Sequence, residues 1–124
     1  MSTVLIVEDN DKNMKLARDV LRAKGYETLE AVTGEEGVKL ALEKNPDLVL
    51  MDIQLPGING IEAFRQIRAD ANTARIPVVA LTASVTPTDR SAITAAGFDA
   101  FIGKPINLKE FLETVKRMID GAKK

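Results

Sequence analysis

The chain has 124 residues, with 17 basic and 18 acidic side chains and neither cysteine nor histidine. This length fits one domain, and the near balance of charge gives no long-range field that would attract nucleic acid. The missing cysteine excludes disulfides and thiolate metal sites, and the missing histidine excludes a phosphohistidine on this chain. We therefore expect a single domain over residues 1–124, without an output domain and without a nucleic-acid partner.

The hydropathy of the chain gives no sign of a membrane segment. No apolar stretch approaches the roughly 20 residues that a spanning helix needs, and no basic segment leads into a signal-peptide core. We expect a cytoplasmic protein that does not use a membrane as a partner.

Strand and helix patterns alternate five times along the chain. β-branched and apolar runs predict strands at 3–7, 27–31, 47–51, 76–81 and 99–102. The helices between them begin at predicted N-caps, each followed by an acidic residue three positions later: Thr33, Asn59, Thr86 and Asn107. Gly25 and Gly97 lie where helices are expected to end. This alternation predicts a parallel α/β sheet with helices on both faces.

The last two predicted helices differ in their apolar faces. The final helix has a regular stripe that predicts packing against the sheet, formed by Leu108, Phe111, Leu112, Val115, Met118 and Ile119. The segment 87–96 has only Ile93 as a large apolar anchor. We expect this segment to pack weakly and to shift at low cost.

Four of the apolar runs are followed by side chains able to bind a metal ion or a phosphoryl group. Glu8 and Asp9 follow the first run, Asp52 the third, Thr82 the fourth and Lys104 the fifth. The carboxyl ends of parallel strands lie along one edge of a sheet, where open α/β folds bind their ligands. The sequence therefore predicts a site for Mg²⁺ and phosphoryl transfer at that edge.

Each of these residues also has an ordinary structural interpretation. Glu8 and Asp9 are equally typical of solvated loop acids, with Asp9 or Asn10 capping the next helix. A lysine before proline, such as Lys104, is most often a surface residue, and a strand threonine such as Thr82 often bonds to local backbone. Only their joint placement at strand ends favours the functional interpretation.

Asp52 is the predicted nucleophile. It stands between Met51 and Ile53, and a carboxylate in so apolar a context needs a cation or hydrogen-bond donors. A carboxylate attacks phosphorus without first losing a proton, so the absence of histidine does not hinder this chemistry. Lys104 is expected to pair with Asp52 before the reaction and with a phosphoryl oxygen after it. The donor of the phosphoryl group must be another molecule.

The chain resembles the receiver domain of two-component response regulators along its whole length. The motifs that carry the resemblance are VLIVEDN, PDLVLMDIQLPGINGIE, IPVVALTA and FIGKPI. Among receivers it is most similar to the single-domain type of bacterial cell-cycle signalling. The resemblance implies a flavodoxin-like (βα)5 fold, doubly wound, with strand order 2-1-3-4-5.

The resemblance also assigns roles at the site. It implies that Asp52 accepts the phosphoryl group, that Asp9 and the backbone carbonyl of Gln54 bind Mg²⁺ directly, and that Glu8 helps through water. Thr82 and Lys104 are expected to hold the phosphoryl group.

The same resemblance implies roles for residues around the site. Pro105 is expected to follow a cis peptide bond, and the small Ala83 leaves room for a bound group. Ser84 occupies a position that influences the lifetime of the phosphoryl group. Phe101 matches the aromatic switch position, where Phe permits a rotamer switch but no hydrogen-bond switch; its ordinary interpretation is a core residue.

The function implied is that of a stand-alone response regulator. A sensor histidine kinase or histidine phosphotransfer protein is the expected donor, and output passes through a downstream protein partner. The chain would catalyse only its own phosphorylation and dephosphorylation, as a monomer or weak dimer. Met14 is expected either to contact the donor or to pack in the core.

Two other functions use related chemistry. A Mg²⁺-dependent aspartyl-phosphate phosphohydrolase would need a second acid two residues after the nucleophile, where this chain has Gln54. A flavin-binding module would need a phosphate-binding loop rich in Ser and Thr after the first strand, where this chain has Glu8, Asp9 and Asn10.

Overall fold

Five apolar segments form the strands of one sheet, and helices connect them. Within residues 2–83 and 87–122, which the computed structural model describes apart from the side chains of Asp89 and Ala122, the strands are β1 (Thr3–Val7), β2 (Glu27–Ala31), β3 (Leu48–Asp52), β4 (Val78–Thr82) and β5 (Ala100–Gly103). The helices are α1 (Asp11–Ala23), α2 (Gly34–Lys44), α3 (Gly60–Ala69), α4 (Pro87–Ala96) and α5 (Leu108–Ala122).

The strands are parallel and lie in the order β2-β1-β3-β4-β5. The predicted α/β class, the flavodoxin-like (βα)5 topology and the strand order are thereby confirmed. Three strands, β3, β4 and β5, end one residue later than the apolar runs predict. Asp52 pairs with Leu81, and Thr82 pairs with Gly103, so both polar residues are the last members of their strands.

The sheet separates two apolar cores, because successive strand residues point to opposite faces. One face packs against α1 and α5, with a core that includes Val4, Ile6, Leu50, Leu81, Leu21, Phe111 and Val115. The other packs against α2 and α3, with a core that includes Leu5, Val7, Val49, Met51, Ala41, Phe64 and Ile67. Because both faces of the sheet are covered by apolar cores, the polar residues at the strand ends stand out from the apolar residues of the strands.

The predicted N-caps are present wherever the structure describes them. Side-chain oxygens of Thr33, Asn59 and Asn107 accept hydrogen bonds from backbone N–H groups three residues later, at 2.9–3.1 Å. Asn10, rather than Asp9, caps α1 by accepting from Asn13 at 3.0 Å. The predicted cap at Thr86 lies outside the described residues.

The apolar anchors of α4 and α5 agree with the sequence with one exception. Among the described side chains of α4, Ile93 is the only buried one, as expected for a weakly packed helix. In α5 the stripe is buried or half-buried from Phe111 onward, but Leu108 is 46% exposed. Leu108 is the first residue of α5, before the helix meets the core.

None of the helices in the described part of the chain is long and apolar enough to cross a membrane.

A cluster of side chains at the N-terminal ends of β4 and β5 holds the segment that leads from α4 into β5. Phe98 stacks on Phe64 of α3 with 4.2 Å between ring centroids, and the Arg68 guanidinium lies over the Phe64 ring. Arg68 also forms an ion pair with Asp99 at 2.5 Å, and Asp99 accepts a hydrogen bond from the backbone N–H of Val78 at 2.8 Å. The C-terminal end of α4 is therefore tied to α3 and β4.

Candidate functional site

The polar residues that follow or end β1, β3 and β5 lie together at the carboxyl edge of the sheet. Glu8 and Asp52 are buried there, whereas Asp9 is exposed. The residues surround a cavity of about 380 Å³ lined by Glu8, Asp9, Asn10, Asn13, Asp52, Gln54, Ala83 and Lys104. The parallel sheet thus brings together carboxylates from β1 and β3 and the ammonium group that follows β5.

Lys104 reaches both buried carboxylates. Its Nζ lies 2.9 Å from Oδ2 of Asp52, with hydrogen-bond geometry, and 2.6 Å from Oε1 of Glu8. The contact with Glu8 is an ion pair without an aligned hydrogen bond, so Oε1 has no hydrogen-bond partner although it is fully buried. The backbone N–H of Lys104 donates to the carbonyl of Thr82 at 2.8 Å, which extends the β4–β5 ladder and fixes the start of this side chain.

Asp52 is held at both carboxylate oxygens. Oδ2 accepts from Lys104, and Oδ1 accepts from the backbone N–H of Gln54 at 3.0 Å. The second contact ties the carboxylate to the loop that follows β3. Two donors therefore hold both oxygens of the carboxylate that is expected to attack phosphorus.

The charges at the site perturb one another. Burial and the neighbouring Asp52 raise the pKa of Glu8 to about 7, although Lys104 opposes this rise. Burial alone would lower the pKa of Lys104, but its contacts with Glu8 and Asp52 outweigh that effect and raise it above its ordinary value. One ammonium therefore does not fully compensate the acids at this edge.

We expect the raised pKa of Glu8 to make the metal-free protein less stable as the pH rises from about 4.5 to about 7. Below this window the carboxyl is protonated in both the folded and the unfolded chain. Within it the unfolded chain releases the proton first, so the folded state loses up to about 3 kcal/mol relative to low pH. Above about pH 7 the loss is constant.

The measurement is the free energy of unfolding in urea with EDTA, at several pH values, for the wild type and Glu8→Gln. The variant removes this titration, so its stability relative to the wild type should rise through the window and then level off. Lys104 titrates at alkaline pH, outside this window, so it does not contribute to the difference. A difference between the two proteins that is independent of pH would contradict the assigned pKa.

The residues at this edge fit a hard divalent cation. One carboxylate oxygen from each of Glu8, Asp9 and Asp52 lies within 4.8 Å of the others. Oε1 of Glu8, which has the ion pair with Lys104 but no hydrogen-bond partner, adds a buried acceptor for a further positive charge or a water. Carboxylate and carbonyl oxygens with waters are the ligands that Mg²⁺ prefers.

The remaining predicted residues that the structure describes belong to β4, β5 and the segments that follow these strands. Thr82 is buried at the end of β4, and Ala83 is exposed and lines the cavity. The Lys104–Pro105 peptide bond is cis, as the resemblance implies. Phe101 is half-buried, with the Arg90 guanidinium 5.1 Å from its ring centroid, so it is neither a simple core residue nor fully exposed. Ser84 lies outside the described residues.

Three residues near the site were not singled out as site residues from the sequence. Asn10 and Asn13 line the cavity, and Asn10 also caps α1 by accepting a hydrogen bond from the N–H of Asn13. Their spacing indicates a helix cap but does not indicate a place in the cavity wall. Glu35 contacts the loop after β3 from α2, and no local pattern indicates that contact. Met14, for which contact with the donor and packing in the core were the two alternatives, is a residue of α1 and is buried in the core.

The chain belongs to the response regulator receiver domain family, whose model matches residues 4–116. Within that family it is similar to the polar-differentiation response regulator DivK of Brucella ovis. The two are 45% identical over 120 residues, which cover 97% of this chain and 98% of that protein. DivK of Brucella anthropi gives the same identity and coverage. The similarity to DivK-type receivers predicted from the motifs is thereby confirmed.

Solved structures agree with this assignment. The receiver domain of the sensor histidine kinase PA1611 from Pseudomonas aeruginosa, which has a magnesium ion coordinated in its active-site cleft, superposes with a TM-score of 0.90 at 34% identity. The match covers 96% of this chain and 98% of that one. A CheY-like receiver domain protein from Methanospirillum hungatei gives a TM-score of 0.89 at 27% identity, over 99% and 97% of the two chains.

Proposed function

We propose that this chain is a phosphorylation-dependent signalling switch that accepts a phosphoryl group on Asp52 from a sensor histidine kinase or a histidine phosphotransfer protein. The observation that carries the proposal is the ammonium of Lys104, held 2.9 Å from Asp52 among three clustered carboxylates. This arrangement places a fixed positive charge beside the nucleophile. Phosphoryl transfer depends mainly on such positioning and charge neutralisation.

In the proposed reaction, a carboxylate oxygen of Asp52 forms a bond to phosphorus while the phosphorus–nitrogen bond of the donor's phosphohistidine breaks. The donor's imidazole leaves with the electron pair of that bond. Lys104 exchanges its contact with Asp52 for one with a phosphoryl oxygen. Gln54 and Lys104 hold Asp52 in place, and a carboxylate attacks phosphorus without transferring a proton, so no base on this chain is needed.

We propose that Asp9, Asp52 and the backbone carbonyl of Gln54 hold Mg²⁺, with Glu8 acting through water. When bound, the ion supplies positive charge to the phosphoryl oxygens during transfer. The magnesium ion in the Pseudomonas receiver domain and the clustered acids of this chain support the assignment.

The switch proposed here involves the residues around the phosphoryl position. Thr82 ends β4 and would follow the phosphoryl group with its hydroxyl, with Ala83 leaving room for it and Ser84 affecting how long it persists. Phe101 would change rotamer in response, breaking its contact with Arg90 of α4. Pro105 fixes the backbone beside Lys104. Among the described side chains of α4 only Ile93 is buried, which supports the proposal that this helix moves at low cost.

We also propose that residues 1–124 act as one receiver domain and pass the signal to a downstream protein. The Brucella relatives, which align with this chain over 98% of their own length, support this organisation. In this proposal the chain catalyses only its own phosphorylation and dephosphorylation.

The direct test is phosphorylation followed by intact-mass measurement. Incubation with Mg²⁺ and acetyl phosphate, or with a phosphorylated histidine kinase, should add one phosphoryl group to the wild type. Asp52→Asn removes the nucleophile and should remain unmodified. EDTA should prevent the modification of the wild type.

The matched control is Asp120→Asn, which removes an exposed acid on α5 far along the chain from the pocket. It should be phosphorylated like the wild type. An unmodified wild type, or a phosphoryl group that persists in Asp52→Asn, would refute the proposed acceptor.

A further inference from the structure

The loop between β3 and α3 carries Gln54 and is supported from the side by the first turn of α2. This loop follows Asp52 directly and ends at Gly60, the first residue of α3. The N–H of Gln54 binds the Asp52 carboxylate, so the conformation of the loop and the position of the nucleophile are linked. Every residue of the loop 53–59 is exposed or half-buried, and Leu55 and Ile58 also pack against the core on the α2–α3 side.

Glu35 and Gly34 make that lateral contact. Oε1 of Glu35 accepts a hydrogen bond from the backbone N–H of Ile58 at 3.3 Å. Both carboxylate oxygens lie 2.6 Å from the point where a Cβ of residue 57 would stand, and Gly57 has φ +75°. A Cβ on Gly34 would lie 2.7 Å from the carbonyl oxygen of Ile58. Helix and loop are therefore in backbone contact, and the Glu35 carboxylate closes over the turn.

We infer that Glu35, seated by Gly34, is a positioning residue for the metal site. It holds the loop in the conformation that presents the Gln54 carbonyl to Mg²⁺. The inference rests on the proposed function, because it assigns Gln54 as a ligand. Glu35 itself is exposed and is absent from the lining of the pocket, so it acts through the loop and not on the ion.

The physical basis is a population effect. When a loop adopts the binding conformation for only a fraction of the time, its apparent affinity for the ligand is reduced in proportion to that fraction. A hydrogen bond of this kind contributes about 0.5–1.5 kcal/mol, so its loss should weaken Mg²⁺ binding about two- to tenfold. Once the ion is bound, the loop is ordered by the ion, and the reactivity of Asp52 should return to that of the wild type.

The chain provides a matched control for the charge of Glu35. Glu36 is the next residue in the same first turn of α2 and is also exposed, but only its backbone N–H takes part in capping, through Thr33. Glu36→Ala therefore removes the same charge without removing the contact to the loop. Glu35→Gln removes the charge but keeps an oxygen acceptor for the N–H of Ile58.

The experiment is Mg²⁺ titration by calorimetry, followed by phosphorylation with acetyl phosphate at saturating Mg²⁺. Glu35→Ala should bind Mg²⁺ about two- to tenfold more weakly than the wild type. Glu35→Gln and Glu36→Ala should stay within about twofold of the wild type, since both retain the loop contact. At saturating Mg²⁺ all four proteins should be phosphorylated at the same rate.

Each other outcome has a definite meaning. Equal Mg²⁺ affinity of Glu35→Ala and Glu36→Ala, or equal weakening in Glu35→Gln and Glu35→Ala, would overturn the positioning role. A reduced phosphorylation rate of Glu35→Ala that saturating Mg²⁺ does not restore would also overturn it. A wild type that binds no Mg²⁺ would instead refute the metal site of the proposed function.

Discussion

Lys104→Met is expected to slow phosphorylation of Asp52 by about a hundredfold or more at saturating Mg²⁺. The ammonium is the only side-chain cation within the described lining of the pocket. Its Nζ already sits 2.9 Å from the nucleophile, in a position to stabilise the charge that develops on the phosphoryl oxygens. In enzymes, removing one preorganised donor of this kind slows the reaction by about 10²- to 10³-fold.

The same variant should also change the stability of the metal-free protein. Removing one partner of a buried ion pair leaves the charge of the other partner uncompensated. This costs about 3–5 kcal/mol when no proton or ion replaces the missing charge. Here Glu8, whose pKa is about 7 even beside Lys104, can take up a proton instead. The loss should therefore be about 2–3 kcal/mol at about pH 8 and smaller at about pH 6.

Phosphorylation rates by intact mass and urea unfolding in EDTA measure the two effects. Lys116→Met, on the exposed side of α5, is the control and should change neither the rate nor the pH dependence of stability. Added Mg²⁺ should recover stability in Lys104→Met more than in the wild type, because the ion replaces the missing charge. A rate within tenfold of the wild type, or equal destabilisation at both pH values, would argue against the role given to Lys104.

The sequence predicted the convergence of this site because the topology of a parallel sheet makes it unavoidable. Glu8, Asp52 and Lys104 are far apart in the chain, but each follows or ends an apolar run long enough to be recognised as a strand. Once the runs are parallel neighbours, their carboxyl ends share one edge. The order that places β1 beside β3 came from the motifs and not from the strand patterns themselves.

Other features depend on contacts that no local pattern records. The bond from Ile58 to Glu35 joins residues 23 positions apart, so neither residue signals it. Asn45 ends α2 in the left-handed conformation with φ 49°, a role that the sequence pattern more readily assigns to glycine. Leu108 belongs to the apolar stripe of α5 but is exposed, because periodicity does not indicate where a helix first meets the sheet.

Gly60→Ala adds one methyl group beside the site and is expected to lower both the free energy of unfolding and the rate of phosphorylation. A Cβ at residue 60 would overlap the carbonyl oxygen of Asp52 and would lie 2.8 Å from the Cα of Ile53. Both are backbone atoms, and the N–H of Gly60 donates to the carbonyl of Ile53 at 2.9 Å, which holds the two segments together. The clash therefore cannot be relieved by turning a side chain.

Relief requires α3 to move away from the end of β3, or Asp52 to move with its strand. Overpacking of this kind typically costs about 1–3 kcal/mol, and backbone contacts place the expected loss at about 3 kcal/mol or more. A displacement of Asp52 by about 1 Å would also slow phosphorylation by about a hundredfold, since transfer depends on the position of the nucleophile. Stability and reactivity should fall together.

Gly121→Ala is the matched control, because it makes the same chemical change at a position where a Cβ would meet nothing within 4 Å. Gly121 lies in α5, so alanine there should raise the free energy of unfolding by up to about 1 kcal/mol. Urea unfolding should therefore move in opposite directions for the two variants, and only Gly60→Ala should lose phosphorylation. If Gly60→Ala kept wild-type stability and reactivity, the close approach of α3 to Asp52 would not be what fixes the nucleophile, and its position would depend on Gln54 and Lys104 alone.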